Sequence, residues 1–182
     1  RMKKLHESVK NYHIDESIRQ HLKPKSEEEI NSSLNNLSPS EKILKGATYN
    51  LMWLVKKGLD EGGDPSDEDN YAIRWVSTNG HTELVKLLLN DKRVDPSDRY
   101  NMCIRYASEN GHTEIVKLLL QDERVDPSDE NNYAIILSSA KGYIDIVKLI
   151  INNKKFKVDN QPIEYALENK QFDIVKLLLN NE

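Results

Sequence analysis

The chain has 182 residues, 37% of them apolar and 31% charged, with a net charge of −4. That is the length of one domain, but with too little apolar residue for a thick globular core. It suits an elongated body whose thin core runs along its length. No apolar run approaches the ~18 residues a membrane span needs, and an acidic balance disfavours nucleic acid, which calls for a basic face. The polar run Arg1–Lys10 has no secretory core, and a lone cysteine, Cys103, excludes an intrachain disulfide. An intracellular, cytoplasmic, reducing setting is therefore expected.

Residues 1–38 stand apart from the rest of the chain. Leu5, Val9, Ile14, Ile18 and Leu22 are weakly amphipathic, Lys23-Pro24 breaks the pattern, and Ser26-Glu27-Glu28-Glu29 is a capping box leading into Ile30, Leu34 and Leu37. A short helical segment is predicted. Three roles stay open for it: a lid over the next element, a separate partner-binding arm, or disorder. A second capping box, Ser38-Pro39-Ser40-Glu41, opens an entry unit at about 39–63. Ile43, Leu44 and Ala47 lie on one face of its first helix, and Met52, Trp53, Leu54 and Val55 on a second that ends near Gly58.

Self-similarity dominates the remainder. Asn79-Gly80-His81-Thr82-Glu83-Leu84-Val85-Lys86-Leu87-Leu88-Leu89 recurs from Asn110 to Leu120, and again, weakened, from Lys141 to Ile151. Gly80, Gly111 and Gly142 are 31 apart, as are Pro65, Pro96 and Pro127, each within Asp-Pro-Ser-Asp. A shortened copy runs from Phe172 to Leu179. The units fall at about 64–94, 95–125, 126–157 and 158–182. Each reads as two helices and a turn. The first covers roughly Asn70 to Asn79, the glycine ends it in the left-handed conformation, and Thr82 caps the second. Leu84, Val85, Leu87, Leu88 and Leu89 form the apolar side, with Glu83 and Lys86 outward. In the last unit Gln161-Pro162 reads as a polar skip.

Gly-His-x-Glu-Ile/Leu-Val-Lys-x-Leu-Leu, followed by the Asp-Pro turn, resembles the second half of an ankyrin repeat. The first half departs from that family's Thr-Pro-Leu-His-x-Ala-Ala: here it is Tyr71-Ala72-Ile73-Arg74-Trp75-Val76-Ser77, then Met102 to Ser108, then Tyr133 to Ser139. The family period is about 33, and the shortfall points to a trimmed hairpin. Near-identical short copies are similar to arrays in large viral genomes and protists. The resemblance implies an all-α solenoid of helix–turn–helix units with short turn or hairpin connections, covering about residues 40–182.

No constellation for catalysis stands out. His81 and His112 occupy equivalent points of units expected ~8–10 Å apart, too far to share a zinc. Asp64-x-Ser66-x-Glu68 fails as a calcium loop because Asp69 and Trp75 replace the required glycine and glutamate. The turn aspartates are explained by turn chemistry, and Cys103 falls on an apolar stripe. No enzyme activity, metal, cofactor or small-molecule substrate is expected. The resemblance implies a protein–protein interaction module, acting as a monomer, that recruits or sequesters a partner on a concave face. The alternative is a spacer presenting the N-terminal segment. Carried over position by position, the contact surface is Glu68, Asp69, Asn70, Trp75, Thr78 and Asn79 in one unit. The next contributes Arg99, Tyr100, Asn101, Tyr106, Glu109 and Asn110, and the third Glu130, Asn131, Asn132 and Lys141. Trp75, Tyr106 and Leu137 share one slot, either packed between units or forming an exposed apolar stripe. Acidic tips opposite Lys86, Lys117, Lys148 and Lys176 imply an acidic rim and a basic back, which are either solvated faces or the mark of a partner with basic and aromatic features.

Overall fold

A computed structural model describes residues 33, 34, 36–156 and 159–180. The weakly amphipathic stretch 5–22 lies outside the described residues, as does most of the helix expected to lead to Leu37. The chain divides between Leu37 and Ser38. The second unit holds ten helices after Ser38, and the described residues contain no strand.

The ten helices pair in series: α1 (Pro39–Thr48) with α2 (Met52–Asp60), α3 (Asp67–Thr78) with α4 (Thr82–Leu89), α5 (Asp98–Glu109) with α6 (Thr113–Leu119), α7 (Asp129–Lys141) with α8 (Ile144–Ile151), and α9 (Gln161–Glu168) with α10 (Phe172–Leu179). First helices α1, α3, α5, α7 and α9 pack in that order, and second helices α4, α6, α8 and α10 stack beside them. The architecture is an all-α repeat solenoid. None of these helices is long and apolar enough to cross a membrane.

The entry helix starts as its sequence dictates. Ser38 Oγ accepts from the Glu41 N–H at 3.3 Å, and Glu41 Oε2 accepts from the Ser38 N–H at 2.7 Å. The reciprocal bonds satisfy two donors that a helix start leaves orphaned. Helix α2 ends at Asp60, two residues past Gly58. A Cβ on Gly58 would come within 2.6 Å of the Pro39 carbonyl oxygen, so glycine lets α2 close on α1.

The core repeats with the sequence. Leu84, Val85 and Leu88 are buried, as are Ile115, Val116 and Leu119, then Ile146, Val147 and Ile150. On the first helices Ala72, Cys103 and Ala134 are fully buried beside Ile73, Ile104 and Ile135. The small side chains let successive first helices approach, and each buried aliphatic contributes about 1.5–3 kcal/mol.

Gly80, Gly111 and Gly142 have φ of +78°, +77° and +82°, as the pattern predicts. The next unit gives each a second constraint. A Cβ would lie 2.7 Å from the His112 ring, 2.9 Å from the Tyr143 ring or 2.7 Å from Gln171 Oε1. The last unit has Lys170 at this point, also at positive φ (59°).

Three expectations are corrected. Thr82 does not cap α4. The cap is His81, whose side chain makes no capping bond, because the left-handed step at Gly80 turns the His81 carbonyl onto the Leu84 and Val85 N–H groups at 3.0 Å. Gln161-Pro162 is not a skip but the first turn of α9, with Pro162 buried, since a helix start needs no N–H there. No trimmed hairpin joins the described units either. After each Asp-Pro-Ser-Asp, three consecutive residues take left-handed helical angles: Glu68–Asn70 (φ 52°, 55°, 58°), Arg99–Asn101 (50°, 58°, 55°) and Glu130–Asn132 (52°, 55°, 63°). Right-handed helix resumes only after them.

Candidate functional site

The left-handed turns are fixed by asparagine. Asn70 Oδ1 accepts from the Asp95 N–H at 2.7 Å, and its Nδ2 donates to Asp98 Oδ2 at 2.9 Å. Asn101 does the same with the Asp126 N–H and Asp129 Oδ2, both at 2.8 Å, and Asn132 donates to Asp159. In the entry unit Ser40 takes the role, accepting from the Asp64 N–H at 3.0 Å. The result is a polar ladder joining each unit to the next. Asn70, Asn101 and Asn132 are 7%, 6% and 6% exposed, so they leave the expected contact surface. Their side chains hold the scaffold together, and asparagine suits the post because it tolerates φ > 0 better than most residues.

A second ladder lies on the connection after each second helix. Arg93 closes on Asp91 through its Nε at 3.0 Å and Nη2 at 2.7 Å, and Arg124 on Asp122 at 2.9 and 2.6 Å. Arg124 also donates to the Val94 carbonyl of the preceding unit at 2.9 Å, and Lys155 donates to that of Val125 at 3.2 Å. The arginine bonds hold the Asp91 and Asp122 carboxyls below the usual carboxylate range.

The remaining expected residues fall on or beside the first helices. Glu68, Asp69, Arg99, Tyr100, Glu130 and Asn131 are exposed at the turns, and Tyr100 is 69% exposed. Trp75 lies one turn along α3, stacked on Tyr71 with centroids 5.8 Å apart, and keeps 37% of its surface exposed. Tyr106 is half-buried on α5, tilted against Tyr133 at 6.4 Å. Between Trp75 and Tyr106 opens a cleft of ≈ 220 Å³ lined by Tyr71, Arg74, Trp75, Thr78, Met102 and Tyr106. Thr78 lends its methyl side, since its hydroxyl donates to the Arg74 carbonyl at 2.9 Å. At the helix ends Asn79 and Asn110 bond back to Trp75 and Tyr106 at 2.9 Å, and Lys141 reaches the Glu109 carboxylate at 3.5 Å.

Sequence reasoning missed Tyr71, Arg74, Met102, Arg105 and Tyr133 as site residues. Arg74 binds back onto the left-handed turn, with Nε to the Asp69 carbonyl at 2.8 Å and Nη2 to that of Glu68 at 3.1 Å. Arg105 lies over the Tyr106 and Tyr133 rings, 5.8 and 5.4 Å from their centroids. The recurrence of arginine 31 residues apart was the available signal.

Most of the expected split into acidic rim and basic back resolves into pairs, though Glu68 and Lys176 have no ion pair among the described residues. Asp69 is bound by Arg99, Glu130 by Arg105 at 4.0 Å, and Glu109 by Lys141. On the second helices Lys86, Lys117 and Lys148 face Glu83, Glu114 and Asp145 at 2.8, 3.9 and 3.8 Å. Carboxylates three residues before each lysine neutralise that stripe.

Among the described residues no group of three His, Cys, Asp or Glu could hold a metal. Cys103 is fully buried, which pushes its thiol up to about 12, far from a reactive thiolate. His112 Nε2 lies 3.0 Å from the Thr78 carbonyl oxygen, and burial followed by the neighbouring His112 pushes the His81 imidazole down.

A family model for ankyrin repeats (3 copies) matches the chain over residues 43–131 and 104–182. No curated protein matches it. The chain belongs to the ankyrin-repeat family, whose repeats generally serve as protein–protein interaction modules.

Proposed function

From that membership as premise, we propose that this chain recruits or sequesters a partner protein on the face formed by its first helices and left-handed turns. The observation that carries the reading is the cleft between Trp75 and Tyr106. Large aromatic side chains left partly open to water, on a rigid helical platform, are the residues from which binding hot spots are built. Trp75 and Tyr106 stand one unit apart and line the cleft with Arg74 and Met102, and Tyr100 is exposed at the turn that opens α5. A partner that covers the cleft removes that apolar surface from water without reordering the helices beneath. The reading uses no cofactor or nucleic acid and a single copy of the chain.

The test is capture from a native-host extract by the wild type and, in parallel, by Trp75→Ala and by Tyr100→Ala/Tyr106→Ala. A partner held by the wild type and released by both variants, with unchanged far-UV circular dichroism, is the expected result. Equal recovery by all three proteins rejects this face.

A further inference from the structure

We propose that the cleft receives a short extended segment of the partner in which a large apolar side chain is followed by a carboxylate, with the side chain between Trp75 and Tyr106 and the carboxylate on Arg74. This rests on the reading of the first-helix face given above, and it replaces the basic partner that the turn carboxylates suggested.

The charge inventory decides the sign. The other four described arginines each have a carboxylate: Arg93 with Asp91, Arg99 with Asp69, Arg105 with Glu130 and Arg124 with Asp122. Among the described residues Arg74 has none. Its Nε and Nη2 bond backbone carbonyls, and its Nη1 meets only the weak acceptor Met102 Sδ at 3.4 Å. A guanidinium carries five N–H donors, so donor capacity remains, and the charge faces the Tyr71 ring, 5.9 Å from its centroid, instead of a carboxylate. That charge borders the cleft. A basic partner would meet an unneutralised cation there, while three of the carboxylates meant to attract it, Asp69, Glu130 and Glu109, are held by Arg99, Arg105 and Lys141.

A carboxylate arriving at Arg74 forms charge-assisted hydrogen bonds in a partly desolvated site. The apolar side chain before it lies between an indole and a phenol ring, in the stacked or tilted arrangements such rings favour. A nucleic-acid strand, which could also stack and meet Arg74, would bring a row of phosphates past Glu68, which has no ion pair among the described residues, and be repelled.

The experiment uses fluorescein-labelled Gly/Ser peptides carrying one tryptophan and, about two residues later, aspartate, asparagine or lysine. Their binding to the full chain is read by anisotropy beside a labelled oligothymidylate. The aspartate peptide is expected to bind about tenfold more tightly than the lysine peptide, with asparagine between. Trp75→Ala should weaken all three, and Arg74→Gln should abolish the aspartate preference. Because Arg74 also ties the turn, Arg74→Lys is the control: it keeps the charge and must keep the preference. A preference for lysine that still depends on Trp75 overturns the carboxylate inference and leaves the first-helix face standing. Aspartate binding that ignores Trp75→Ala overturns the face itself. Tighter binding of the oligothymidylate, or no binding of any peptide, overturns this proposal, while capture of a whole partner is judged separately by the extract experiment.

Discussion

Asparagine at positions 70, 101 and 132 answers two demands at once. The backbone needs φ near +55° to +63°, and the next unit presents a carboxylate to all three and an N–H to Asn70 and Asn101. Asn101→Ala removes both bonds, leaves a half-buried N–H unpartnered and puts alanine, which has no local hydrogen bonding, in the left-handed region. The expected loss is about 2–4 kcal/mol. Asn101→Gly removes the bonds but not the backbone fit, so it should be about 1 kcal/mol less damaging. Urea unfolding followed by circular dichroism compares the two, and a loss under ~0.5 kcal/mol for Asn101→Ala would show that the ladder holds nothing. The recurrence of these asparagines is visible in the sequence, yet within one copy they read as surface residues. Their burial comes from the next unit along the stack, and no helical period within one copy records a contact made to another copy. Trp75 shows the reverse. Its slot is legible, but its partial exposure depends on stacking with Tyr71, which one sequence cannot decide.

At the scale of an element, the second helices were the most legible part. Leu84, Val85 and Leu88 have the spacing of a helix with one dry side, and glycine at the preceding turn left little choice of backbone. The connections were not legible. Asp-Pro-Ser-Asp announces a turn, but non-glycine residues at three successive positive φ angles fall outside what turn chemistry predicts, so a short hairpin was the natural expectation. The loop after each second helix has its own pH signature. Asp122 accepts from the Arg124 side chain and, at 2.9 Å, from its backbone N–H, and the side-chain bonds depress its pKa most. A carboxyl whose folded pKa lies below its unfolded value of about 3.9 contributes stability that is present above that pH and lost as pH falls through the folded pKa. Asp122→Asn should therefore cost roughly 0.5–1 kcal/mol at pH 7, reduced from a buried pair by the half-exposed Arg124. The gap to wild type should close near pH 2. Urea midpoints at the two pH values check this, and a gap that stays constant would place the loss in packing instead of charge.

The stack behaves as a chain of nearest neighbours, since among the described residues each helix pair packs chiefly on the pairs before and after it. Val85, Val116, Val147 and Val175 occupy one position in four successive units. The first three are fully buried, while Val175 is half-buried because no described element comes after α10. Leu167 makes the same point. It stands where Ser77, Ser108 and Ser139 are 0% exposed, yet it is 48% exposed itself. One substitution made four times therefore separates burial from chemistry. Val→Ala at 85, 116 or 147 removes two methyl groups from a packed seam and should cost about 2–3 kcal/mol. At 175 the methyls already meet water, and the cost should stay under about 1 kcal/mol. Thermal or urea unfolding of the four variants reads the series directly. If Val175→Ala proves as costly as Val116→Ala, the outer face of α9 and α10 is covered in solution. Repeating the measurement over a range of protein concentrations then tells a second copy, whose effect grows with concentration, from a contact within one chain, whose effect does not.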